Sequence, residues 1–177
     1  MRKNILIAVF WAMLLPFCLK AQTGFIGVSG KDVITSDGKP FIMRGTNLGN
    51  WLMPEGYMFK FSKTNSPKLI NEAIAELIGP DEAKLFWQKY QDSYITQPDI
   101  HYLKVIGVNS IRIPFNYKIF TTENYMGQND PDRGFVLLDR VIGWCKAEGI
   151  YVILDMHAAP GGQHGQGLRP PHLAGDN

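Results

Sequence analysis

Gly149-Ile-Tyr-Val-Ile-Leu-Asp-Met-His-Ala-Ala-Pro-Gly-Gly162 is the stretch that most constrains the fold of this chain. Its first half, Ile150–Leu154, is apolar and rich in β-branched and aromatic residues, which predicts a buried strand. Asp155 and His157 then form a polar pair at the carboxyl end of that strand, directly before a Pro-Gly-Gly loop. Because parallel α/β folds place their chemistry at the carboxyl ends of strands, the pair is a candidate site. The same pattern is also typical of a core strand that ends on a hydrogen-bonded Asp and His.

A predicted helix and a second predicted strand precede this stretch. Val108–Phe115 has the composition of a short strand and Gly134–Glu148 that of a helix. The apolar side of this helix is formed by Val136, Leu137, Leu138, Val141, Ile142 and Cys145. Strand, helix and strand at this spacing predict a βαβ unit with parallel strands and a right-handed crossover, and therefore an α/β fold.

Arg112 is the charged residue within the first of these strands. Side chains alternate along a strand, so Ile111 and Ile113 point one way and Arg112 the other. If the isoleucines pack on helices, Arg112 faces the inner side of the sheet near its carboxyl end. A guanidinium there needs an acidic partner, which is either a distant structural carboxylate or Asp155.

The chain before this unit predicts a small β region followed by helices. Phe25–Val28 and Val33–Ile34 are β-like, with a hairpin turn at Ser36–Lys39, and Pro40–Leu48 is predicted as a strand with a polar exit. Three helices are then predicted: one begins at Ser66-Pro67 and is stopped by Gly79-Pro80, and the others span Asp81–Tyr94 and Thr96–Gly107.

The segment Gly45–Tyr57 is predicted to be a loop, yet it carries two large aromatic residues and a carboxylate. These are Trp51, Glu55 and Tyr57. Aromatic side chains on a loop either cover a core or form flat platforms on which sugar rings stack, and the local sequence leaves both interpretations open.

The first 21 residues are typical of a secretory signal peptide. Arg2 and Lys3 are followed by an apolar run from Ile5 to Leu15, and Leu19-Lys20-Ala21 is a plausible cleavage site. Pro16 and Lys20 cut the run short of the roughly 20 residues that a membrane span requires. Bulky Phe17 before Cys18 argues against a lipoprotein. We therefore expect an extracytoplasmic protein, secreted or periplasmic, with no membrane segment after Ala21.

The charge and cysteine content exclude several classes of function. Removing Arg2, Lys3 and Lys20 lowers the basic residues from 18 to 15 against 16 acidic residues, so the net charge changes from +2 to −1. No basic surface is predicted, and nucleic acid is not an expected partner. Cys145 remains as a single thiol after Cys18 is removed, which indicates a packing role and no internal disulfide.

Three segments together resemble glycoside hydrolase family 5. They are Arg44–Leu52, Gly107–Phe115 and Leu154–Gln163, and they occur in the order that the family shows. The resemblance is greatest to the branch that contains cellulases and exo-β-1,3-glucanases, and it covers the chain from about Phe25 to Gln163. Asn50 stands where that branch often has Gly.

The resemblance implies a (β/α)₈ TIM barrel that hydrolyses β-glycosidic bonds with retention. Such chemistry uses two carboxyl groups about 5 Å apart, one as nucleophile and one as acid/base. In the family both are glutamates, at the ends of the fourth and seventh strands, and neither strand is in this sequence. The chain is therefore expected to be an N-terminal part, about three βα units, of an incomplete barrel, with Met1–Ala21 as signal peptide and Gln22–Asn177 as a truncated catalytic domain.

The resemblance also assigns supporting roles to residues that are present. Arg112 matches the arginine that holds the nucleophile ionised, and His157 matches a histidine that hydrogen-bonds in the sugar subsite next to the cleaved bond. Glu55 aligns with a carboxylate that binds hydroxyls of the terminal sugar. Trp51 and Tyr57, which lie beside it in sequence, are weaker candidates for sugar contacts. No cofactor and no metal is implied.

The segment after His164 departs from the family pattern. Gly165–Asn177 has no periodicity and contains two consecutive prolines, which indicates either truncation or an out-of-frame reading. The expected substrate is a β-glucan oligo- or polysaccharide, with linkage, sugar identity and endo or exo action left open. Two other functions remain: a non-catalytic carbohydrate-binding protein and a metal-dependent barrel hydrolase. The latter is disfavoured because no clustered His and carboxylate ligands are present.

Overall fold

The computed structural model describes residues 24–62 and 64–160. The predicted signal peptide and the last seventeen residues, with Gly162, His164 and the Pro-Pro segment, lie outside the described residues. The described strands are β1 (Gly27–Ser29), β2 (Asp32–Ile34), β3 (Gly45–Asn47), β4 (Ser110–Asn116) and β5 (Tyr151–Ala158). The described helices are α1 (Pro67–Ile78), α2 (Pro80–Ser93), α3 (Gln97–Val105) and α4 (Arg133–Glu148), with a 3₁₀ turn at Tyr117–Phe120 after β4.

The helices begin where capping residues allow them to begin. Ser66 precedes α1, and its hydroxyl accepts the Leu69 N–H at 3.3 Å, while Pro67 occupies the first turn. Thr96 precedes α3 in a capping box, in which the Asp99 carboxylate accepts the Thr96 backbone N–H at 2.8 Å. The predicted starts of the first and third helices are therefore confirmed.

The central sheet is parallel and has the order β3-β4-β5. In its register Asn47 lies opposite Arg112, and Arg112 lies opposite Ile153. The predicted parallel βαβ unit of β4, α4 and β5 is confirmed by this pairing. β1 and β2 form a separate antiparallel hairpin around Gly30. The predicted turn at Ser36–Lys39 follows β2 and brings Pro40 back against Ile34.

The core lies between the sheet and the helices. On β4, Ile111 and Ile113 are fully buried, together with Phe115. They belong to one apolar cluster with residues of all four helices, among them Ile70, Trp87, Ile100 and Val141. The isoleucine face of β4 therefore packs on the helices, and Arg112 is left on the opposite face, as the alternation predicts.

Two strands differ from their predictions. The strand predicted at Pro40–Leu48 is reduced to Gly45–Asn47. The first residues of the predicted strand pair with the hairpin instead, because the Phe41 N–H bonds to Val33 O. β5 is not buried as predicted: Ile153, Leu154 and Met156 are exposed. β5 neighbours only β4 among the described strands, so its apolar side chains are only partly covered.

No helix in the described ranges is both long and apolar enough to cross a lipid bilayer.

Candidate functional site

Arg112, Asp155 and His157 meet on the face of the sheet that is turned away from the helices. The Arg112 Nη2 group donates to Asp155 Oδ2 and lies 3.1 Å from His157 Nδ1. His157 Nδ1 lies 3.0 Å from the same Asp155 oxygen. A guanidinium, a carboxylate and an imidazole are thus in mutual contact within one triangle of atoms, which we call the Arg-Asp-His cluster.

The strands bring these side chains together by register and by length. Asp155 and His157 are two residues apart on β5, and both contact Arg112 Nη2, so they lie on the same face although the register against β4 shifts between Met156 and Ala158. Arg112 lies in the first half of β4, opposite Ile153, rather than near the strand's carboxyl end as predicted. Its long side chain extends towards the carboxyl ends of the strands by about two residues, roughly 7 Å, to reach Asp155.

The cluster is open to solvent on one side. The side chains of Arg112, Asp155 and His157 are 35%, 28% and 38% exposed, respectively. An ion pair that is exposed to this extent contributes little to the free energy of unfolding, typically 0–1 kcal/mol. Polar groups that are held in fixed geometry but remain accessible are suited to binding a polar ligand.

Asp155 is the acidic partner that the sequence left undecided for Arg112. The local sequence offered Asp155 or a distant structural carboxylate as alternatives, and the structure selects Asp155. The choice depends on the register of β4 against β5, which places Asp155 two positions beyond the residue that faces Arg112.

A loop that follows β3 runs along the same end of the sheet. Leu52 forms a bridge with Phe115 near the end of β4, and Asn116 N–H bonds to Leu52 O at 3.3 Å. Asn50 has φ of 60°, a left-handed conformation that Asn and Gly tolerate best, which explains why Asn can stand where Gly is usual. Its side-chain oxygen accepts the Glu55 N–H at 3.1 Å and so fixes the backbone at Glu55.

Glu55 and Tyr57 form a pair on this loop. The Tyr57 hydroxyl donates to Glu55 Oε2 at 3.4 Å, and the Tyr57 side chain is exposed. The nearby Glu55 carboxylate raises the pKa of Tyr57, because a negative charge disfavours the phenolate. The role in sugar binding that the sequence analysis gives to Glu55 and Tyr57 stays a prediction, and no hydrogen bond joins them to the Arg-Asp-His cluster among the described residues.

Trp51 is a correction to the predicted set of sugar-binding residues. Its side chain is only 1% exposed, and its indole N–H donates to Gln91 O on α2 at 2.8 Å. A ring that is enclosed in the core offers no face for a sugar to stack on. The first of the two interpretations of the loop aromatics, a cover for the core, therefore holds for Trp51.

Asn116 is a polar residue near the site that the sequence reasoning missed. It is the last residue of β4, at a shift in register against β5, it is fully buried, and its Oδ1 accepts the Lys118 N–H at 3.0 Å. In the sequence Asn116 is only a polar residue that follows Phe115. Such a residue is also typical of the place where a strand ends and a surface loop begins, so the sequence alone does not indicate that Asn116 is buried.

Residues 24–62 and 64–160 contain neither a cluster of metal ligands nor a reactive thiol. No group of three or more His, Cys, Asp or Glu side chains there is placed to hold a metal ion. Burial raises the pKa of the Cys145 thiol to about 11, so it stays protonated and packs as an apolar side chain.

Comparisons with known proteins agree on one family. A family model described as Cellulase (glycosyl hydrolase family 5) matches residues 35–169. A β-xylosidase from Phanerodontia chrysosporium is 36% identical over 140 residues, which are 79% of this chain and 29% of that protein. A probable glucan 1,3-beta-glucosidase A from Aspergillus clavatus is 33% identical over 131 residues, 70% of this chain and 30% of that protein.

A solved structure supports the same fold. The rutinosidase from Aspergillus niger superposes with a TM-score of 0.55 at 22% identity, and the match covers 76% of this chain and 36% of that protein. At this identity the likeness concerns the fold alone, an α/β arrangement of the TIM-barrel type. The chain spans about 30% of the length of these two curated relatives.

Proposed function

The chain belongs to glycosyl hydrolase family 5, and on that premise we propose that it is the N-terminal part of a secreted, retaining glycosidase that acts on β-glucan-type polysaccharides. The observation that carries the proposal is the Arg-Asp-His cluster. It puts Arg112 and His157 on one face of two adjacent parallel strands, where the family resemblance assigns them to the wall of the sugar site.

The chemistry that we propose requires two carboxyl groups from other strands. A retaining glycosidase needs a nucleophile and an acid/base about 5 Å apart. Asp155 already accepts from Arg112 and lies against His157, which suits a supporting role rather than that of a free nucleophile. The two catalytic glutamates are therefore proposed to follow residue 177, on the fourth and seventh strands of the barrel.

Arg112 is proposed to hold the nucleophile ionised. A guanidinium has five N–H donors in a rigid fork, and Asp155 and His157 engage Nη2 alone. No hydrogen bond from Nε or Nη1 to a described residue is found, and these donors are proposed to bind a second carboxylate. An adjacent positive charge stabilises the ionised form of a carboxyl group, so the nucleophile would be negative at neutral pH.

Glu55, Tyr57 and His157 are proposed to bind the sugar. Glu55 offers carboxylate oxygens, which accept hydroxyl hydrogens, and Tyr57 contributes an exposed ring and hydroxyl. Trp51 is no longer part of this set because it is buried.

The barrel is proposed to be completed by further chain. A (β/α)₈ barrel takes about 250 residues, whereas this chain has 177. The exposed apolar residues Ile153, Leu154 and Met156 on β5 are consistent with a strand whose neighbours are supplied from elsewhere. Residues Met1–Ala21 are proposed to be a cleaved signal peptide that sends the protein out of the cytoplasm.

The first test is to read the coding sequence beyond Asn177 in all three frames. An Asn-Glu-Pro some tens of residues further on, in any frame, would supply the expected acid/base. A coding sequence that offers no such motif and no further strands would remove the enzymatic proposal. The alternative, a carbohydrate-binding protein without catalysis, would then be tested by the binding of glucan oligosaccharides to the purified chain.

The second test is kinetic and uses a longer protein that contains this segment. We expect Arg112→Ala to lower kcat for an aryl β-glucoside by about 10²–10³-fold, the usual loss when one preorganised donor is removed. Arg44→Ala is the matched control, because Arg44 is exposed and, among residues 24–62 and 64–160, its guanidinium donates only to the Gly107 carbonyl at 3.3 Å. Normal turnover in a folded Arg112→Ala variant would show that the site is misassigned.

A further inference from the structure

We propose that Asp155 is a positioning residue, which holds His157 in the tautomer with the proton on Nδ1 and leaves Nε2 as a hydrogen-bond acceptor for a sugar hydroxyl. This inference rests on the proposed function and deepens it. It assigns the direction of one hydrogen bond in the sugar subsite, which neither the family likeness nor the position of His157 specifies.

The geometry creates a conflict at His157 Nδ1. This atom lies 3.0 Å from Asp155 Oδ2, which can only accept, and 3.1 Å from Arg112 Nη2, which can only donate. A neutral imidazole nitrogen either carries a hydrogen or has a lone pair. Nδ1 can therefore bond well to one neighbour and must face the other without a bond.

The directionality of donors favours the bond to Asp155. Since Nη2, Oδ2 and Nδ1 are all within bonding reach of one another, the directions from Nη2 to the other two atoms diverge by much less than the roughly 120° between its two N–H bonds. Nη2 can therefore donate to Oδ2 and Nδ1 at the same time only if both bonds are bent away from linearity, which weakens each of them.

Acceptors are less restrictive. A carboxylate oxygen accepts over a broad range of directions and has room for two hydrogens. Asp155 Oδ2 can therefore take one hydrogen from Arg112 and another from His157 Nδ1, and neither bond forces the other to bend. The arrangement in which Oδ2 accepts twice strains the hydrogen bonds less than the one in which Nη2 donates twice.

The tautomer decides what His157 offers to a ligand. With the proton on Nδ1, Nε2 has a free lone pair, and no described residue forms a hydrogen bond to Nε2. A hydroxyl of a bound sugar would then donate to Nε2. Arg112 is held by the bond from its Nη2 group to Asp155 Oδ2, and its Nη1 and Nε donors are proposed to bind a carboxylate.

The test is the tautomer of His157 in the ¹⁵N-labelled 177-residue chain, read from the imidazole nitrogen shifts in long-range ¹H–¹⁵N correlation spectra near pH 8. The His157 signals are assigned by their loss in His157→Gln. We expect a protonated-type shift at Nδ1 and an unprotonated-type shift at Nε2. Asp155→Ala is expected to invert this pattern, because Arg112 then donates to Nδ1 without competition. Asp139→Ala, at an exposed carboxylate on α4, is expected to change nothing.

Arg112→Met provides a second, independent comparison. It removes the competing donor and leaves Asp155 in place, so the Nδ1-protonated form should persist. A proton on Nε2 in the unaltered chain, averaged shifts like those of free histidine, or a change of tautomer in Arg112→Met would each overturn the proposal. The measurement needs neither sugar nor turnover. An inactive longer protein with this tautomer would refute only the proposed function, and an active one without it would refute only the role of Asp155.

Discussion

Trp51→Phe tests directly whether the aromatic residue after β3 belongs to the core. The indole ring is 1% exposed, and its N–H bonds to Gln91 O at 2.8 Å. The substitution removes this hydrogen bond, which contributes about 1 kcal/mol net. It also removes part of a buried ring, and the lost burial together with the resulting cavity costs about 2 kcal/mol more.

The expected loss is therefore about 3 kcal/mol in the free energy of unfolding. With a urea dependence of about 2 kcal/mol/M, the unfolding midpoint should fall by about 1.5 M. The measurement is urea unfolding followed by far-ultraviolet circular dichroism. Tyr57→Phe is the matched control: its side chain is 67% exposed, so the free energy of unfolding should change by no more than about 0.5 kcal/mol. A loss below about 0.5 kcal/mol for Trp51→Phe would refute its assignment to the core.

Two further predictions concern buried ionisable groups. Since burial raises the pKa of Cys145 to about 11, a Cys18→Ser chain should react with a thiol reagent at pH 8 only after urea is added; rapid reaction without urea would contradict the buried position of Cys145. Burial also raises the pKa of Tyr125, whose hydroxyl bonds to Leu52 O at 3.1 Å. Above about pH 9 the unfolded chain loses protons that the folded chain retains, so stability is full below that pH and falls as the pH rises. Urea midpoints between pH 7 and 11 should fall less steeply in Tyr125→Phe, and parallel curves would show that Tyr125 is not the source.

Much of the fold could be predicted because it is encoded over short distances in the chain. Ser66-Pro67 and Thr96 mark helix starts through their own hydrogen bonds, and the alternation of Ile111, Arg112 and Ile113 assigns the two faces of β4. The same alternation on β5 puts Asp155 and His157 on one face. Since adjacent parallel strands share their inner face, local patterns place Arg112 and His157 on one face. Their contact also depends on the register, because His157 lies four residues beyond Ile153, the residue opposite Arg112.

The parts that could not be predicted depend on neighbours that are remote in sequence. Which carboxylate pairs with Arg112 depends on the register between β4 and β5, and the burial of Trp51 depends on Gln91, which is 40 residues away. The exposure of Leu154 depends on which strands flank β5. The residues next to Arg112, Trp51 and Leu154 in the sequence do not indicate any of these relations.

The location of the nucleophile tests the central claim most directly. A 2-deoxy-2-fluoro glycoside with an activated leaving group traps the covalent intermediate of a retaining enzyme, and peptide mass spectrometry identifies the residue that carries the sugar. In a longer protein that contains this segment, we expect one labelled glutamate from a peptide beyond Asn177, with labelling greatly slowed by Arg112→Ala. A label on Asp155, Glu55 or any other carboxyl group within residues 1–177 would contradict the account.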